Sequence, residues 1–430
     1  MYPNPQDVVA LPARPNVGHF EQLAADLVAA WKTDDTSTWA ARWPDLVSRL
    51  EPFARATLAG PPEPLHGAQF VIARMHGFDG WPAFAAHLDA LANPTSKVAR
   101  FEAAADAIVT GDMAALSRIL HEQPALIDAR STRVHRATLL IYTAANGVEN
   151  YRQVTPPNAV AITTALLDAG AEVDAVADMY GGDCTTLGLV ATSVHPERAG
   201  VQNALMQLLI DRGAVIDRPR GVGHNHSFVA GCLANGRAAA AEFLAAHGAR
   251  LDLDGAAGVG RLDVVKGFFK ADGTLAAATS EQMRAGFAWA CEYGRKPVVS
   301  FLLDRGMPVD AADRHDGQTG LHGAALGGHA DIVSLLLARK APVNAVEKTF
   351  NGTPLTWALH GWSCTAGTGR EKYYDVVARL VRAGATVKPE WLETRDPLTP
   401  FDQALRDDAA MRRALAGGML SDGTDETTGR

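Results

Sequence analysis

The chain has 430 residues, of which 47% are hydrophobic and 20% are charged, and its formal net charge is −8. This composition excludes extensive disorder, and because the charges form no basic stripe, nucleic acid and anionic membrane surfaces are disfavoured as partners. The four cysteines form no C-x-x-C pair, which argues against a zinc ribbon or a disulfide framework. Without a secretory leader or a long apolar run, the sequence predicts a cytoplasmic protein.

The first 95 residues carry helical apolar spacing but no repeat. Two apolar segments, at 19–31 and 65–91, are separated by the proline-rich stretch AGPPEP. The first unit of a repeat array would expose an apolar face unless something covered it. We therefore predict a helical N-terminal capping region over residues 1–95.

From residue 166 onward one phrase recurs: a leucine-rich helix end, a turn with glycine, and then an apolar residue with Asp or Asn, as in LLDAGAEVDA at 166–175. The spacings between successive turns are 43, 35, 25, 33, 34 and 44 residues, which indicates an underlying period of about 33. Each turn residue is predicted to close an outer helix in the left-handed conformation. The turn positions are Gly170, Gly213, Gly248, Gly273, Gly306, Lys340 and Gly384.

The segment 316–345 carries the most complete motif. It resembles the ankyrin repeat, whose T-P-L-H-x-A-A-x-x-G-H pattern is matched at Thr319, Leu321, His322, Ala324, Ala325, Gly328 and His329. The resemblance implies an all-α ankyrin-repeat solenoid of roughly eight helix-turn-helix repeats over residues 96–419, followed by a flexible tail at 420–430. The segment 65–91, with its GF-x-x-W-P ending, is similar to the helical module that precedes the repeats in many bacterial ankyrin proteins. At His322 the resemblance implies a structural imidazole that bonds backbone in adjacent loops.

The resemblance also implies which positions face a ligand, namely inner-helix positions and the loops that overhang the concave groove. Aromatic side chains at such positions are typical of binding hot spots. The predicted binding residues are Tyr142, Asn146, Tyr180, Asp183, His224, His226, Trp289, Glu292, Tyr293, Asp316, Trp357 and His360.

Two insertions, at 148–158 and 363–372, lengthen their repeats and are predicted to be surface loops. If they fold back over the concave face, they would roof a pocket, and the chain would then be an enzyme or a binder of small molecules or metal. In that alternative, Glu292 and His360 are acid/base candidates, Tyr293 and Tyr180 are hydrogen-bond donors, and Trp289 and Trp357 form stacking walls. His224 and His226 are the candidates for a metal.

No recognisable catalytic motif occurs in the chain, and we expect no cofactor. The sequence therefore favours a binding protein that holds a protein or peptide partner in its concave groove. The enzyme or small-molecule binder remains the alternative, because the orientation of the two insertions decides between an open groove and a pocket.

Overall fold

The computed structural model describes residues 8–32, 64–217, 227–312, 317–391 and 399–417. Its regular structure is almost entirely helical, as the sequence predicts. The chain divides into two compact units, residues 1–224 and 225–430. None of the helices in the described ranges is both long enough and apolar enough to cross a membrane.

The first unit contains ten described helices and one two-stranded hairpin. The strands β1 (Val176–Ala177) and β2 (Cys184–Thr185) are antiparallel, with Val176 opposite Thr185. The helices are α1 (Val17–Lys32), α2 (Pro64–Met75), α3 (Trp81–Leu91), α4 (Lys97–Thr110), α5 (Met113–Glu122), α6 (Leu139–Tyr142), α7 (Ala159–Asp168), α8 (Thr186–Thr192), α9 (Val194–Arg198) and α10 (Gln202–Asp211).

Helices α1 to α3 share a hydrophobic core of their own. Phe20, Val71, Phe78, Phe84 and Leu88 are each almost completely buried there. The rings of Phe20 and Phe84 meet edge to face with centroids 5.0 Å apart, the geometry that aromatic pairs favour. The predicted boundary of the capping region, residue 95, lies in the short connection between α3 and α4. Whether these helices form a separate domain stays a prediction.

The second unit contains twelve described helices that follow one another in pairs. They are α11 (Phe228–Ala234), α12 (Ala238–Ala246), α13 (Leu253–Gly258), α14 (Leu262–Gly267), α15 (Ser280–Glu292), α16 (Lys296–Asp304), α17 (Gly320–Gly327), α18 (Ala330–Ala338), α19 (Pro354–Cys364), α20 (Glu371–Arg382), α21 (Pro400–Asp407) and α22 (Ala409–Leu415). The first helix of each pair is termed the inner helix, and α13, α15, α17 and α19 stack in that order.

From α4 onward, the packed helix pairs that follow the repeat pattern number three in the first unit and six in the second, within the described residues. The first unit pairs α4 with α5, α6 with α7 and α8 with α10. Nine pairs agree with the prediction of roughly eight repeats.

The predicted turn residues all adopt the left-handed conformation. The six glycines have φ between 86° and 98°, and Lys340 has φ 66°. After most of these turns the next residue donates its N–H to the carbonyl of a buried leucine, as Ala171 does to Leu166 (3.0 Å) and Ala385 to Leu380 (2.9 Å). These hydrogen bonds satisfy carbonyls that the helix end leaves without a donor.

One of the seven phrases does not close a helix. Helix α14 ends at Gly267, and the residues that follow form a short turn in which Phe269 pairs with Leu275 in an isolated bridge. The expectation that Gly273 ends an outer helix is therefore wrong. In the sequence, Phe269 resembles the last residues of an outer helix, but its side chain packs on the next repeat. There the rings of Phe269 and Phe301 meet edge to face, with centroids 5.3 Å apart.

The stacking of outer helices can be tested at Leu336 on α18. This side chain is completely buried in the core of the second unit, whereas its neighbour Leu337 is only partly buried. We expect Leu336→Ala to lower the free energy of unfolding by about 2–5 kcal/mol, because it leaves a cavity between packed helices. Urea unfolding followed by circular dichroism measures the change, with Leu337→Ala as the matched control that costs less. An unchanged midpoint for Leu336→Ala would contradict the repeat register.

Candidate functional site

Glycines bring the inner helices of the second unit close together. A β-carbon added at Gly286 on α15 would lie 2.9 Å from Cβ of Ala257 on α13. One added at Gly361 on α19 would lie 2.5 Å from the carbonyl oxygen of Leu326 on α17. Because these positions leave no room for a side chain, the glycines permit a close approach of neighbouring backbones.

The last carbonyls of these inner helices accept hydrogen bonds from side chains of later repeats. Helix ends lack intrahelical donors for these oxygens, so the side chains satisfy groups that burial would otherwise leave unpaired. The Tyr293 hydroxyl donates to the carbonyl oxygen of Leu233 (2.7 Å), and the Arg295 guanidinium donates to that of Gly258 (2.9 Å). The His329 imidazole bonds the carbonyl oxygen of Glu292 (2.7 Å), and the Tyr373 hydroxyl donates to that of Leu326 (2.8 Å). The Tyr293 hydroxyl, which the alternative function uses as a ligand donor, therefore already donates to the backbone.

Trp289 and Trp357 occupy the same position in two inner helices. Each is 34 residues from Gly323, which holds the equivalent position in α17 between them. Both tryptophans are partly exposed. Trp357 packs beside Gly352 and meets the ring of His322 edge to face, with centroids 6.0 Å apart. Two indoles therefore flank a position without a side chain.

Glu292 lies beside this position. Its Cβ is 3.3 Å from the point that a β-carbon at Gly323 would occupy. Burial raises the pKa of Glu292 above its ordinary value, which a neighbouring Tyr293 hydroxyl partly opposes. A carboxyl group in this environment is less readily ionised than one in water.

His360 and Glu292 do not meet in the described part of the chain. His360 is exposed near the end of α19, where its Nε2 lies 3.7 Å from Sγ of Cys364. Glu292 lies on α15, and no described contact joins the two side chains. The two acid/base candidates of the alternative function therefore form no hydrogen bond or ion pair with each other in the described residues.

Two predicted residues of the first unit, Tyr180 and Asn146, meet at the β1–β2 hairpin. Tyr180, in the left-handed conformation at φ 48°, donates its hydroxyl to Oδ1 of Asn146 (2.8 Å). Asn146 in turn donates to Thr192 (3.2 Å) and to the carbonyl of Leu189 (3.1 Å). The Tyr180 ring remains 60% exposed, and Asp183 is exposed on the same hairpin at φ 54°. The structure thus brings Tyr180 and Asn146 together, as one hydrogen-bonded group.

Tyr142 is not on a surface. Its side chain is completely buried, and its ring meets those of Phe101 and His135 edge to face at 6.1 Å. Burial raises the pKa of the Tyr142 hydroxyl well above its ordinary value. Because it has no exposed atoms, Tyr142 cannot contact a partner, and we remove it from the candidate site.

The insertion 148–158 contributes to this burial, since Arg152 lies over the Tyr142 ring and Glu149 accepts its hydroxyl hydrogen (3.4 Å). The segment was expected to be a surface loop, but Glu149, Arg152 and Gln153 are 1%, 3% and 9% exposed. Arg152 binds Glu102 (2.7 Å) and Asp106 (2.7 Å) on α4. The insertion therefore packs against α4 through Arg152. Because Asn150, Tyr151, Val154 and Pro157 remain exposed, the expectation of a surface loop holds for only part of the segment.

A buried ion-pair network lies beneath this insertion. Arg133 binds Glu102 at 2.6 Å and Glu149 at 2.9 Å, and Glu149 also lies 3.5 Å from Nε2 of His135. Burial favours the neutral form of Glu149, but Arg133, His135 and Arg152 outweigh it and hold the pKa of this carboxyl well below its ordinary value. Sequence reasoning missed these residues. The signal in the sequence that could have indicated them is the presence of two opposite charges, Glu149 and Arg152, within one insertion.

The insertion 363–372 behaves as predicted. Helix α19 ends at Cys364, a short 3-10 turn follows over Gly367–Arg370, and α20 begins at Glu371. Positions 366–369 are exposed. This insertion is therefore a surface loop.

Three predicted binding residues, His224, His226 and Asp316, lie outside the described residues. Within the described part of the chain, no three His, Cys, Asp or Glu side chains gather as a metal ion would require. None of the four cysteines forms a disulfide bond in the structure.

Two described cavities lie away from the predicted residues. One of about 190 Å³ in the first unit is lined by Val98, Phe101 and Thr132, among others. A second of about 480 Å³ in the second unit is bordered by Met283 and Arg305. None of the residues proposed for a substrate pocket lines either cavity.

Comparison with known proteins identifies the repeats. A family model for ankyrin repeats, in three copies, matches residues 287–390. The 26S proteasome non-ATPase regulatory subunit 10 of Rattus norvegicus is 41% identical over 54 residues, which are 13% of this chain and 23% of the relative, and that of Homo sapiens is 43% identical over 54 residues, 13% and 24%. The chain thus spans about a quarter of the length of these relatives. Ankyrin repeats generally mediate binding between proteins. Residues 287–390 are therefore ankyrin repeats, within a chain whose fold is all-α.

Proposed function

We propose that this chain is a binding protein and that the inner helices of its second unit contact a protein or peptide partner. The observation that carries the proposal is the pair Trp289 and Trp357, partly exposed at equivalent repeat positions on either side of Gly323. Partly exposed tryptophans on a rigid helical surface supply large contact area at a small entropic cost.

The spacing of the two tryptophans suits an extended segment. Packed helices lie about 8–10 Å apart, so two steps along the stack separate the indoles by roughly 20 Å. An extended chain covers that distance with about six residues, at about 3.3 Å per residue. Between the indoles, Gly323 contributes no side chain, and the side chain of Leu326 on the same helix is partly exposed.

We propose that the first unit provides a second region that contacts the protein partner. Tyr180 is held by Asn146, and the rigid position of its exposed ring would lower the entropic cost of binding. Asp183 lies on the same hairpin. We further propose a reducing, cytoplasmic environment, since the four cysteines include no C-x-x-C pair and none of them forms a disulfide bond.

The test uses a displayed library of random twelve-residue peptides, selected on the immobilised full-length protein. Dissociation constants of synthetic copies are then measured by fluorescence anisotropy. We expect Trp289→Ala or Trp357→Ala to weaken binding by about 2 kcal/mol, or roughly 30-fold, with little change in the melting midpoint. Each substitution removes an apolar indole surface that becomes buried only when the peptide binds.

Trp81→Ala is the control, because Trp81 is a partly exposed tryptophan on α3 in the first unit. Peptide binding should be unchanged in this variant. Large unfolding of the Trp289 or Trp357 variants would show that these rings are core residues. If a metabolite pool raises the melting temperature, and Glu292→Ala abolishes that rise while no peptide binds, the small-molecule alternative replaces this proposal.

A further inference from the structure

The loop over residues 346–352, which precedes α19, exposes two large apolar side chains. Phe350 is 76% exposed, the highest value among the large hydrophobic residues that the structure describes, and Val346 is 57% exposed. Single exposed apolar residues are common on protein surfaces and need no explanation. Here two of them lie within five residues, on a loop at the edge of the proposed binding surface.

Glu347 fixes the conformation of this loop. Its carboxylate is completely buried and accepts the backbone N–H groups of Thr349 (2.7 Å), Phe350 (3.0 Å) and Gly352 (2.7 Å). Its own N–H donates to the carbonyl of Gly352 (3.1 Å). Hydrogen bonds to an ionised acceptor are among the stronger ones in proteins. Phe350 is therefore displayed by a loop with an ordered backbone.

The loop is joined to the proposed binding surface through Gly352. The Nε2 of His322, on the neighbouring inner helix, lies 3.2 Å from the Gly352 carbonyl. Nε1 of Trp357 lies 2.7 Å from the point where a β-carbon at Gly352 would stand, so the indole packs directly against the loop. A segment that contacts Trp357 can thus extend onto the loop.

Lys348 gives the loop its charge. It is exposed between Val346 and Phe350, and among the described residues it forms no ion pair. The carboxylate of Glu347 is buried by the loop itself, so the charge that the 346–352 loop offers to a partner is positive. This contrasts with the net charge of −8 for the whole chain. An exposed cation between two apolar side chains is complementary to an acidic residue beside an apolar one.

We infer that the 346–352 loop binds a linear peptide segment of the partner in which a large apolar residue stands next to Asp or Glu. The apolar side chain packs on Phe350 and Val346, and the carboxylate pairs with Lys348. The inference rests on the proposed function, since it extends the contact surface of Trp357, and it adds the chemistry of the partner. Because the loop backbone is already ordered, binding does not have to order it, which lowers the entropic cost.

The experiment uses the full-length protein and the same displayed peptide library. We expect the selected peptides to be enriched in a large apolar residue within two positions of Asp or Glu. Phe350→Ser should weaken their binding at least tenfold. Lys348→Glu should also weaken it about tenfold at low salt, Lys348→Arg should retain it, and the effect of Lys348→Glu should shrink in 1 M salt, where the screening length is about 3 Å.

Matched controls are Val215→Ser, an apolar residue 48% exposed in the first unit, and Lys270→Glu, an exposed lysine outside the loop. Both should bind peptides as the wild type does. If the Trp289 and Trp357 variants lose binding while the Phe350 and Lys348 variants keep it, the loop inference is overturned and the proposed function stands. If only the loop variants lose binding, the tryptophan surface is overturned. A library that yields no binding peptide overturns both.

Discussion

Replacing Glu149 with alanine is expected to lower the stability of the first unit by about 3–5 kcal/mol, because it leaves buried positive charge without its partner. Glu149 is 1% exposed and lies 2.9 Å from Arg133 and 3.5 Å from Arg152. Its Oε1 also accepts the hydroxyl hydrogen of Tyr142 (3.4 Å). Removal of the carboxylate would therefore affect two guanidinium groups and a buried phenol at once.

Urea unfolding measures this change, and hydrogen exchange over residues 97–168 localises it. The control is Arg212→Ala, which removes the ion pair with Asp168 (2.8 Å). In that pair the side chains are 35% and 62% exposed, so the expected cost is below about 1 kcal/mol. If both variants lower the free energy of unfolding equally, the buried network contributes no more to stability than a surface ion pair does. We expect Glu149→Gln to lie between them, since it keeps the shape but not the charge.

The left-handed turns were predictable from the sequence because they are local. A leucine-rich helix end followed by glycine fixes the conformation of one residue and the destination of one or two hydrogen bonds. Lys340 fits the same position although it has a side chain, because the surrounding phrase LLLARKAPVN carries the signal. The phrase around Gly273 resembles the others in composition, but its helix ends earlier, at Gly267.

The candidate site was less predictable because burial depends on distant residues. Tyr142 holds a position that faces the groove in the ankyrin pattern, yet the insertion 148–158 covers it. That covering depends on Arg152 reaching Glu102, 50 residues earlier in the chain. Nothing in the spacing of Tyr142 within its own repeat reports such a contact. The tryptophans were found more easily, because no insertion intervenes between Trp289 and Trp357 and the 34-residue spacing is preserved.

Mild acid is expected to destabilise the N-terminal helices through two buried histidines. His76 is 5% exposed, stacks on Phe84 with centroids 5.1 Å apart, and its Nδ1 lies 2.8 Å from the carbonyl of Val9. His87 is 1% exposed and its Nδ1 lies 2.7 Å from Oγ1 of Thr132. Burial, with a contribution from the charge of Arg133, lowers the pKa of each to about 4.

The direction of the effect follows from proton linkage. The folded-state pKa lies below the value of about 6.5 in the unfolded chain, so the unfolded chain takes up protons first as the pH falls. The stabilising contribution is complete above about pH 6.5, decreases below it and is lost by about pH 4. Each pH unit within that range costs about 1.4 kcal/mol per histidine, which gives roughly 2 kcal/mol for each by pH 5.

Urea unfolding at pH 7, 6 and 5, with hydrogen exchange over residues 64–91, tests this expectation. Between pH 7 and 5 the wild type should lose about 4 kcal/mol, whereas the double variant His76→Gln, His87→Gln should lose far less from a lower starting stability. The control is His121→Gln, an exposed histidine near the end of α5, which should follow the wild-type profile. Above pH 5 the carboxylates whose pKa is lowered, such as Glu149, remain ionised in both states or nearly so, so His76 and His87 dominate the change over residues 64–91. Burial also lowers the pKa of His195 and of His329, but both lie outside that region. A double variant with the wild-type pH dependence would mean that protonation elsewhere, and not at these two imidazoles, controls acid unfolding of this region.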